Sequence, residues 1–143
     1  MQPLYICHPD FADVMPQNPF HKQFGEHTPM AQDPKLQNRH ILYRRKAVLP
    51  AFSKAVLRIS ADDYYKLYIG GRFVTMGPAP TYPQCYFYNE IDVTDYLSEG
   101  ENTFALHTLY QGLVNRVWVS GDGRHMMYFD LYLDGKRTGY CVC

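Results

Sequence analysis

The sequence has little of what marks a nucleic-acid-binding or membrane-spanning protein. Its 143 residues carry 14 Lys and Arg against 14 Asp and Glu, so the formal net charge is zero. A balanced charge argues against nucleic acid or an anionic membrane surface as a partner. No run approaches the roughly 18 apolar residues of a membrane helix. The segment 1–10 lacks the basic start and long apolar run of a secretory signal, so we expect a cytoplasmic protein.

The cysteines lack the paired spacing that is typical of a zinc site. None of the four residues forms a CxxC pair of the kind that binds zinc. The four residues are Cys7, Cys85, Cys141 and Cys143. We expect free thiols, with a disulfide or a metal site as the alternatives. Motifs of the GxSxG, HExxH and P-loop type are also missing, so no catalytic, metal or cofactor residue is assigned.

The composition favours β-structure over helix. The chain has 13 Tyr and 8 Phe, residues that suit strands and half-wet surfaces. It also has 10 Gly and 10 Pro, which supply turns. We therefore expect an all-β protein.

The first 39 residues differ from the rest of the chain. Six of the ten prolines lie there, and neither helical nor strand periodicity persists. We expect an irregular, Pro-rich extension over residues 1–39, either pinned to the domain by Phe11, Phe20 and Phe24 or floppy. Residues 40–143 form the second predicted unit, a β-sandwich domain.

Short strands follow one another from His40 onward. In Ala55–Ala61 apolar residues alternate with others at a period of two, which is typical of a half-buried strand. Gly70-Gly71 and Asp134-Gly135 are two-residue hairpin signals, because both turn positions need positive φ. Asp92 can cap a single helical turn. Further strands are predicted at 41–49, 64–69, 72–76, 86–91, 103–110, 114–119, 125–133 and 136–143. This series predicts an antiparallel β-sandwich of the jelly-roll type.

Acidic residues are numerous enough to supply a glycosidase pair, but their positions favour structural roles. Several lie in predicted turns or caps, and a catalytic pair must face each other across a bond. The candidates are Asp62, Asp63, Glu90, Asp92, Asp95, Asp122 and Asp130. We predict no catalytic dyad among them. His107, in the middle of a strand, is expected to be a hydrogen-bonded structural residue, with a ligand or base as the alternative.

The segment 110–125 is the strongest candidate for carbohydrate binding. Sugar recognition combines a flat aromatic ring with planar polar groups that read hydroxyls. The candidates are Tyr110, Asn115, Arg116, Trp118 and Asp122, with Tyr82 from the Pro-rich loop. The interpretation we favour is that Trp118 packs in the core or at a domain seam while Arg116 pairs with a carboxylate, with sugar binding as the alternative. Tyr64, Tyr82, Tyr86 and Tyr88 form a second aromatic group.

The stretch Ala55–Val74 resembles the opening of the N-terminal domain of bacterial α-L-rhamnosidases. Gly77–Pro80, Tyr88–Leu97 and Glu99–Asn102 continue the likeness, which covers roughly residues 40–135. The family usually has Asn-Gly where this chain has Gly70-Gly71, and both pairs suit a tight turn. The resemblance implies a galactose-binding-domain-like jelly roll.

The same resemblance implies a helical catalytic barrel downstream, so no acid or base residue of rhamnoside hydrolysis is carried to this chain. By this reading the chain is a non-catalytic ancillary domain, or fragment, of a glycoside hydrolase. Its partner would be the catalytic domain of the parent chain, on which it packs or for which it positions substrate. The alternative is an autonomous carbohydrate-binding module for rhamnose- or galactose-type oligosaccharides. An independent enzyme and an unrelated β-sandwich adaptor also remain open.

Overall fold

A computed structural model describes residues 5–14, 34–77, 87–112 and 124–139. These residues form nine strands and three short 3₁₀ turns, and every strand pairing is antiparallel. Within these ranges no helix is both long and apolar enough to cross a membrane. The prediction of an all-β fold is confirmed.

The strands make two sheets. The strands are β1 Tyr5–Ile6, β2 Arg39–Leu49, β3 Ala55–Ala61, β4 Tyr64–Ile69, β5 Arg72–Gly77, β6 Asn89–Asp92, β7 Gly100–Tyr110, β8 Met127–Leu133 and β9 Lys136–Arg137. The four-stranded sheet has the order β2-β7-β4-β5. The five-stranded sheet has the order β1-β8-β3-β6, with β9 paired to β8. The 3₁₀ turns are Pro9–Phe11, Pro34–Leu36 and Thr94–Tyr96.

The main core lies between the two sheets. Leu57 and Ile59 of β3 are fully buried, as are Leu67 of β4 and Leu106 of β7. The rings of Phe104 (β7) and Phe129 (β8) meet edge to face with their centroids 5.4 Å apart, which joins the layers directly. Facing apolar layers of this kind define a β-sandwich. The connections of a jelly roll involve residues outside the described ranges, so that part of the prediction stays a prediction.

Most predicted strands are observed with ends shifted by a few residues, but the strand predicted at 136–143 is observed only as Lys136–Arg137, and the described residues 138 and 139 are outside it. The strands β3 and β4 have the predicted bounds. Gly70 and Gly71 have φ of 55° and 80°, as a two-residue hairpin with two left-handed positions requires. Asp134 and Gly135 also have positive φ, at 48° and 77°. The predicted strand at 114–119 lies outside the described residues.

The predicted helical turn is present after β6 as the 3₁₀ turn Thr94–Tyr96, with Val93 and not Asp92 in the cap position. Asp92 Oδ1 accepts hydrogen bonds from the Thr94 amide at 3.0 Å and the Thr94 hydroxyl at 2.6 Å. These bonds lower the pKa of Asp92. Thr94 Oγ1 in turn accepts from the Ala55 amide at 3.0 Å. Asp92 is therefore a structural carboxylate that fixes the chain between β6 and β7.

The described part of the N-terminal extension packs on the sandwich rather than standing apart from it. β1 pairs with β8 at Tyr5↔Tyr128 and Ile6↔Met127. Phe11 is 1% exposed and forms a second, smaller core with Ile41 and Tyr110. Phe11 thus has the pinning role expected for it, whereas Phe20 and Phe24 lie outside the described residues.

One turn also holds the crossover between the sheets. The chain leaves β2 of the four-stranded sheet and enters β3 of the five-stranded sheet through residues 50–54. Asp134 Oδ1, from the β8–β9 turn, accepts hydrogen bonds from the amides of Ser53 at 3.0 Å and Lys54 at 2.8 Å. The Asp134 amide donates to the Lys54 carbonyl at 2.9 Å. Hydrogen bonds to Asp134 therefore hold the crossover against the turn of the β8–β9 hairpin.

Candidate functional site

The outer face of the four-stranded sheet carries exposed apolar side chains. Alternate strand residues point away from the core, and a solvated face normally has polar residues at those positions. Here Leu42 is 78% exposed, Val48 67%, Met76 60% and Phe73 52%. Single exposed hydrophobic residues are ordinary, but four on one sheet face indicate an interaction surface. We call this surface the apolar face.

Strand register places Leu42, Met76 and Phe73 in two adjacent outward rows, whereas Val48 lies further along β2, opposite Glu101. Leu42 lies opposite His107, His107 opposite Lys66, and Lys66 opposite Met76. The next outward row is Arg44, Ala105, Tyr68 and Phe73. Tyr68 and Phe73 meet edge to face with ring centroids 5.7 Å apart. The apolar face therefore extends across all four strands.

A cavity of about 270 Å³ opens on the apolar face between β4, β5 and β7. Its lining is mostly apolar and aromatic, with one lysine and one histidine. The lining residues are Tyr64, Tyr65, Lys66, Met76, His107 and Leu109. A cavity of this kind suits one large apolar group with a polar or charged neighbour.

Two histidines lie beside the cavity. His40 Nδ1 and His107 Nε2 are 2.8 Å apart, which is hydrogen-bond distance, so one ring donates and the other accepts. Burial lowers the pKa of His107, and the neighbouring His40 and Lys66 lower it further. The lowered pKa favours the uncharged ring of His107, which has the hydrogen-bonded role predicted for it. No group of three or more potential metal-ligating side chains occurs within the described ranges.

The outer face of the five-stranded sheet has a different character. Arg58 of β3 donates from Nε to Glu90 of β6 at 2.8 Å. Its guanidinium lies 4.6 Å from the ring centroid of Tyr132 and 5.4 Å from that of Tyr88. Tyr88 is itself 49% exposed. This arrangement of an exposed ring beside a fixed arginine and a carboxylate has the chemistry of a sugar contact.

Next to it, Asp130 is a buried carboxylate on β8 with several donors. It is 2% exposed and accepts from the hydroxyls of Tyr128 at 3.1 Å and Tyr132 at 3.4 Å. Arg137 of β9 forms an ion pair with it. Burial, followed by the charge of Asp130, raises the pKa of Tyr128. Asp130 is therefore held by three side chains of its own sheet, which indicates a structural role.

Of the sequence-predicted binding residues, Tyr110 is the one that the structure describes. It is 1% exposed, and its ring meets Phe11 edge to face at 5.0 Å in the second core. Its ring thus serves packing in this structure. The other five candidates lie outside the described residues and remain predictions: Tyr82, Asn115, Arg116, Trp118 and Asp122.

An ancillary domain that docks on a catalytic domain is expected to carry an apolar surface patch, but sequence reasoning did not place that patch on the four-stranded sheet. The run 41–49 has apolar residues in both phases of its strand, so the outward phase cannot be distinguished from the inward one by alternation. The signal available was that Phe73 and Met76 follow a tight hairpin on what proved to be an edge strand. Of the second aromatic group, Tyr88 lies beside Arg58 on one sheet, whereas Tyr64 lines the cavity on the other.

No family model matches the sequence. No curated protein matches it either. Solved structures do: the GH78 family rhamnosidase of Bacillus sp. GL1 superposes with a TM-score of 0.65 and 29% identity, over 71% of this chain and 11% of that enzyme. The α-L-rhamnosidase of Aspergillus terreus gives a TM-score of 0.57 and 21% identity, over 76% of this chain and 14% of that one.

A third structure, the Streptomyces avermitilis α-L-rhamnosidase solved with L-rhamnose, gives a TM-score of 0.53 and 20% identity over 71% of this chain and 9% of that enzyme. The last two likenesses concern the fold alone. The chain spans about a tenth of the length of these rhamnosidases. The described β-sandwich is therefore similar to one domain of GH78 α-L-rhamnosidases, as the residues of 55–102 had indicated.

Proposed function

We propose that this β-sandwich is a non-catalytic ancillary domain of an α-L-rhamnosidase-like glycoside hydrolase. It packs on a catalytic domain outside these 143 residues, or positions substrate for that domain. The observation that carries the proposal is the match to the Bacillus rhamnosidase, which covers 71% of this chain but 11% of the enzyme. A domain that is one part of a much larger hydrolase has its function in relation to the other parts.

The chemistry of the described carboxylates supports the non-catalytic part of the proposal. Asp92 holds Thr94, Glu90 holds Arg58, and Asp130 is surrounded by tyrosine hydroxyls. Asp63 Oδ2 accepts from the Gln111 amide at 2.6 Å. A glycosidase needs two carboxyl groups facing a shared substrate space. These four carboxylates each have a structural partner instead.

Determining the complete reading frame, together with an activity assay, tests this proposal. We expect the coding sequence to extend beyond Cys143 into a catalytic domain, and the complete protein to hydrolyse 4-nitrophenyl α-L-rhamnopyranoside. The 143-residue chain alone should release no nitrophenol above the buffer rate. A reading frame that stops at Cys143, or hydrolysis by the isolated chain, would contradict the proposal.

A second candidate function is carbohydrate binding, which the cluster of Tyr88, Arg58 and Glu90 favours. Titration with L-rhamnose and D-galactose, followed by NMR shifts of the 143-residue chain, tests it. Tyr88→Ala should abolish the shifts if this cluster binds, whereas Trp118→Ala should do so if the sequence-predicted group binds. Leu42→Ala, on the opposite sheet, is the matched control. The absence of any shift at millimolar sugar rejects this function.

A further inference from the structure

The charges of the apolar face, the outer surface of the four-stranded sheet, are predominantly positive. Lys46 pairs with Glu101 at 2.8 Å. Arg44 and Lys66 also point outward from this sheet, and neither has a carboxylate partner within the part of the chain that the structure describes. A surface that combines exposed apolar side chains with unpaired cations is complementary to a partner that supplies both apolar groups and carboxylates.

The cavity offers a place on this face where a side chain of a partner can insert. It lies between β4, β5 and β7, directly beside Lys66 and Met76. Binding energy at protein interfaces concentrates where a large apolar side chain enters a desolvated pocket near the middle of the contact. About 270 Å³ is room for a side chain such as Leu or Phe. The exposed Leu42, Phe73 and Met76 then surround that anchor point.

The other sheet offers a less suitable docking surface. Its outward charges are already paired within the domain, as Arg58 with Glu90 and Arg137 with Asp130. Charges that already have partners of opposite sign gain less from a new one than unpaired charges do. A second copy of this chain is also a poor occupant of the apolar face, because two such faces would bring Arg44 and Lys66 against cations of the same sign.

We propose that the apolar face is the surface on which the catalytic domain of the hydrolase docks, through an apolar side chain that fills the cavity and carboxylates that pair with Lys66 and Arg44. This inference rests on the proposed function and adds to it the docking surface and the chemistry of its partner. The five-stranded sheet remains exposed in the assembled enzyme.

The test is an association measurement between two separately expressed polypeptides, the 143-residue chain and the catalytic segment encoded in the same reading frame. We expect the native chain to bind, and Leu42→Asp combined with Phe73→Asp to weaken binding at least tenfold. Lys66→Glu should also weaken it, and raised salt should reduce the affinity of the native chain. Glu90→Arg on the five-stranded sheet is the matched control and should bind as the native chain does.

Folding of each variant is checked by its thermal midpoint, which should stay near the native value because Leu42 and Phe73 are exposed. Binding that is lost in the Glu90 variant and retained in the Leu42 and Phe73 variant would overturn the inference while leaving the proposed function intact. A dimer of the native chain that the Leu42 and Phe73 variant abolishes would overturn it in favour of self-association. No binding by the native chain would contradict the proposed function and this inference together.

Discussion

At the scale of single residues, His125 shows how the second core determines the state of a titratable group. It is fully buried, and its ring lies against Phe11, Tyr43 and Tyr110. Thr108 Oγ1 donates to the Ile41 carbonyl at 3.3 Å, so it is free to accept from His125 Nε2 at 2.9 Å. The proton of the neutral ring is therefore assigned to Nε2. Burial, with a smaller effect of His8, lowers the pKa of His125 to about 4.

This predicts a loss of stability in weak acid. Between pH 6.5 and about 4, His125 is protonated in the unfolded chain but not in the folded one. The free energy of unfolding therefore falls as the pH falls from 6.5 towards 4. The expected loss is about 3 kcal/mol. Urea unfolding at pH 7 and at pH 4.5 measures it. His125→Gln keeps a donor for Thr108 without titrating, so its pH dependence should be clearly smaller, and an equal loss in both proteins would refute the assignment.

At the scale of elements, the turn of the β4–β5 hairpin depends on the backbone conformation of two glycines. Gly70 and Gly71 both have positive φ, and a Cβ at either position would meet nothing within 4 Å. The constraint is therefore one of backbone conformation and not of space. Asn tolerates left-handed φ far better than a β-branched residue does.

Substitutions in this turn should separate the two effects. Gly71→Val, at φ of 80°, is expected to lower the free energy of unfolding by about 1–3 kcal/mol. Gly70→Asn, at φ of 55°, should be neutral or raise it by about 0.5 kcal/mol, because Asn restricts the unfolded chain. Chemical denaturation of both variants gives the comparison, and equal destabilisation by the two changes would speak against the turn type.

The same elements show what could be predicted from the sequence. β3 and β4 were predicted with their observed bounds because turn residues, Asp62-Asp63 and Gly70-Gly71, stand directly beside clean alternation. β1 was missed because a strand of two residues, Tyr5–Ile6, is too short to show a period. The full extent of the apolar face could not be predicted because Leu42 of β2 joins Phe73 and Met76 of β5 only through the register of the strands between them.

At the scale of the whole molecule, the first 39 residues can be considered either a separate extension or a part of the β-sandwich domain. The predicted boundary lies at residues 39 and 40, yet β1 adds to the five-stranded sheet and Phe11 fills the second core. A segment that contributes both a sheet strand and a buried ring shares the stability of the domain.

Truncation tests that interpretation. Removal of residues 1–33 should lower the free energy of unfolding by at least as much as Phe11→Ala, for which a buried phenylalanine predicts about 3–5 kcal/mol. Thermal and chemical unfolding of both variants measure the two losses. If the shortened chain were as stable as the complete one, the first 33 residues would be a true appendage, and the two-unit division would stand.

The hydrogen bonds between Asp134 and the crossover at residues 53 and 54 affect how the sandwich resists proteolysis. Proteases that cleave after basic residues must draw the backbone into an extended, unpaired form around the bond they cut. Lys54 offers such a residue at an exposed corner, but its amide and carbonyl are both engaged by Asp134. A trypsin-like protease can therefore recognise the exposed Lys54 side chain, but the peptide bond after Lys54 is held in the folded conformation and should be cleaved slowly.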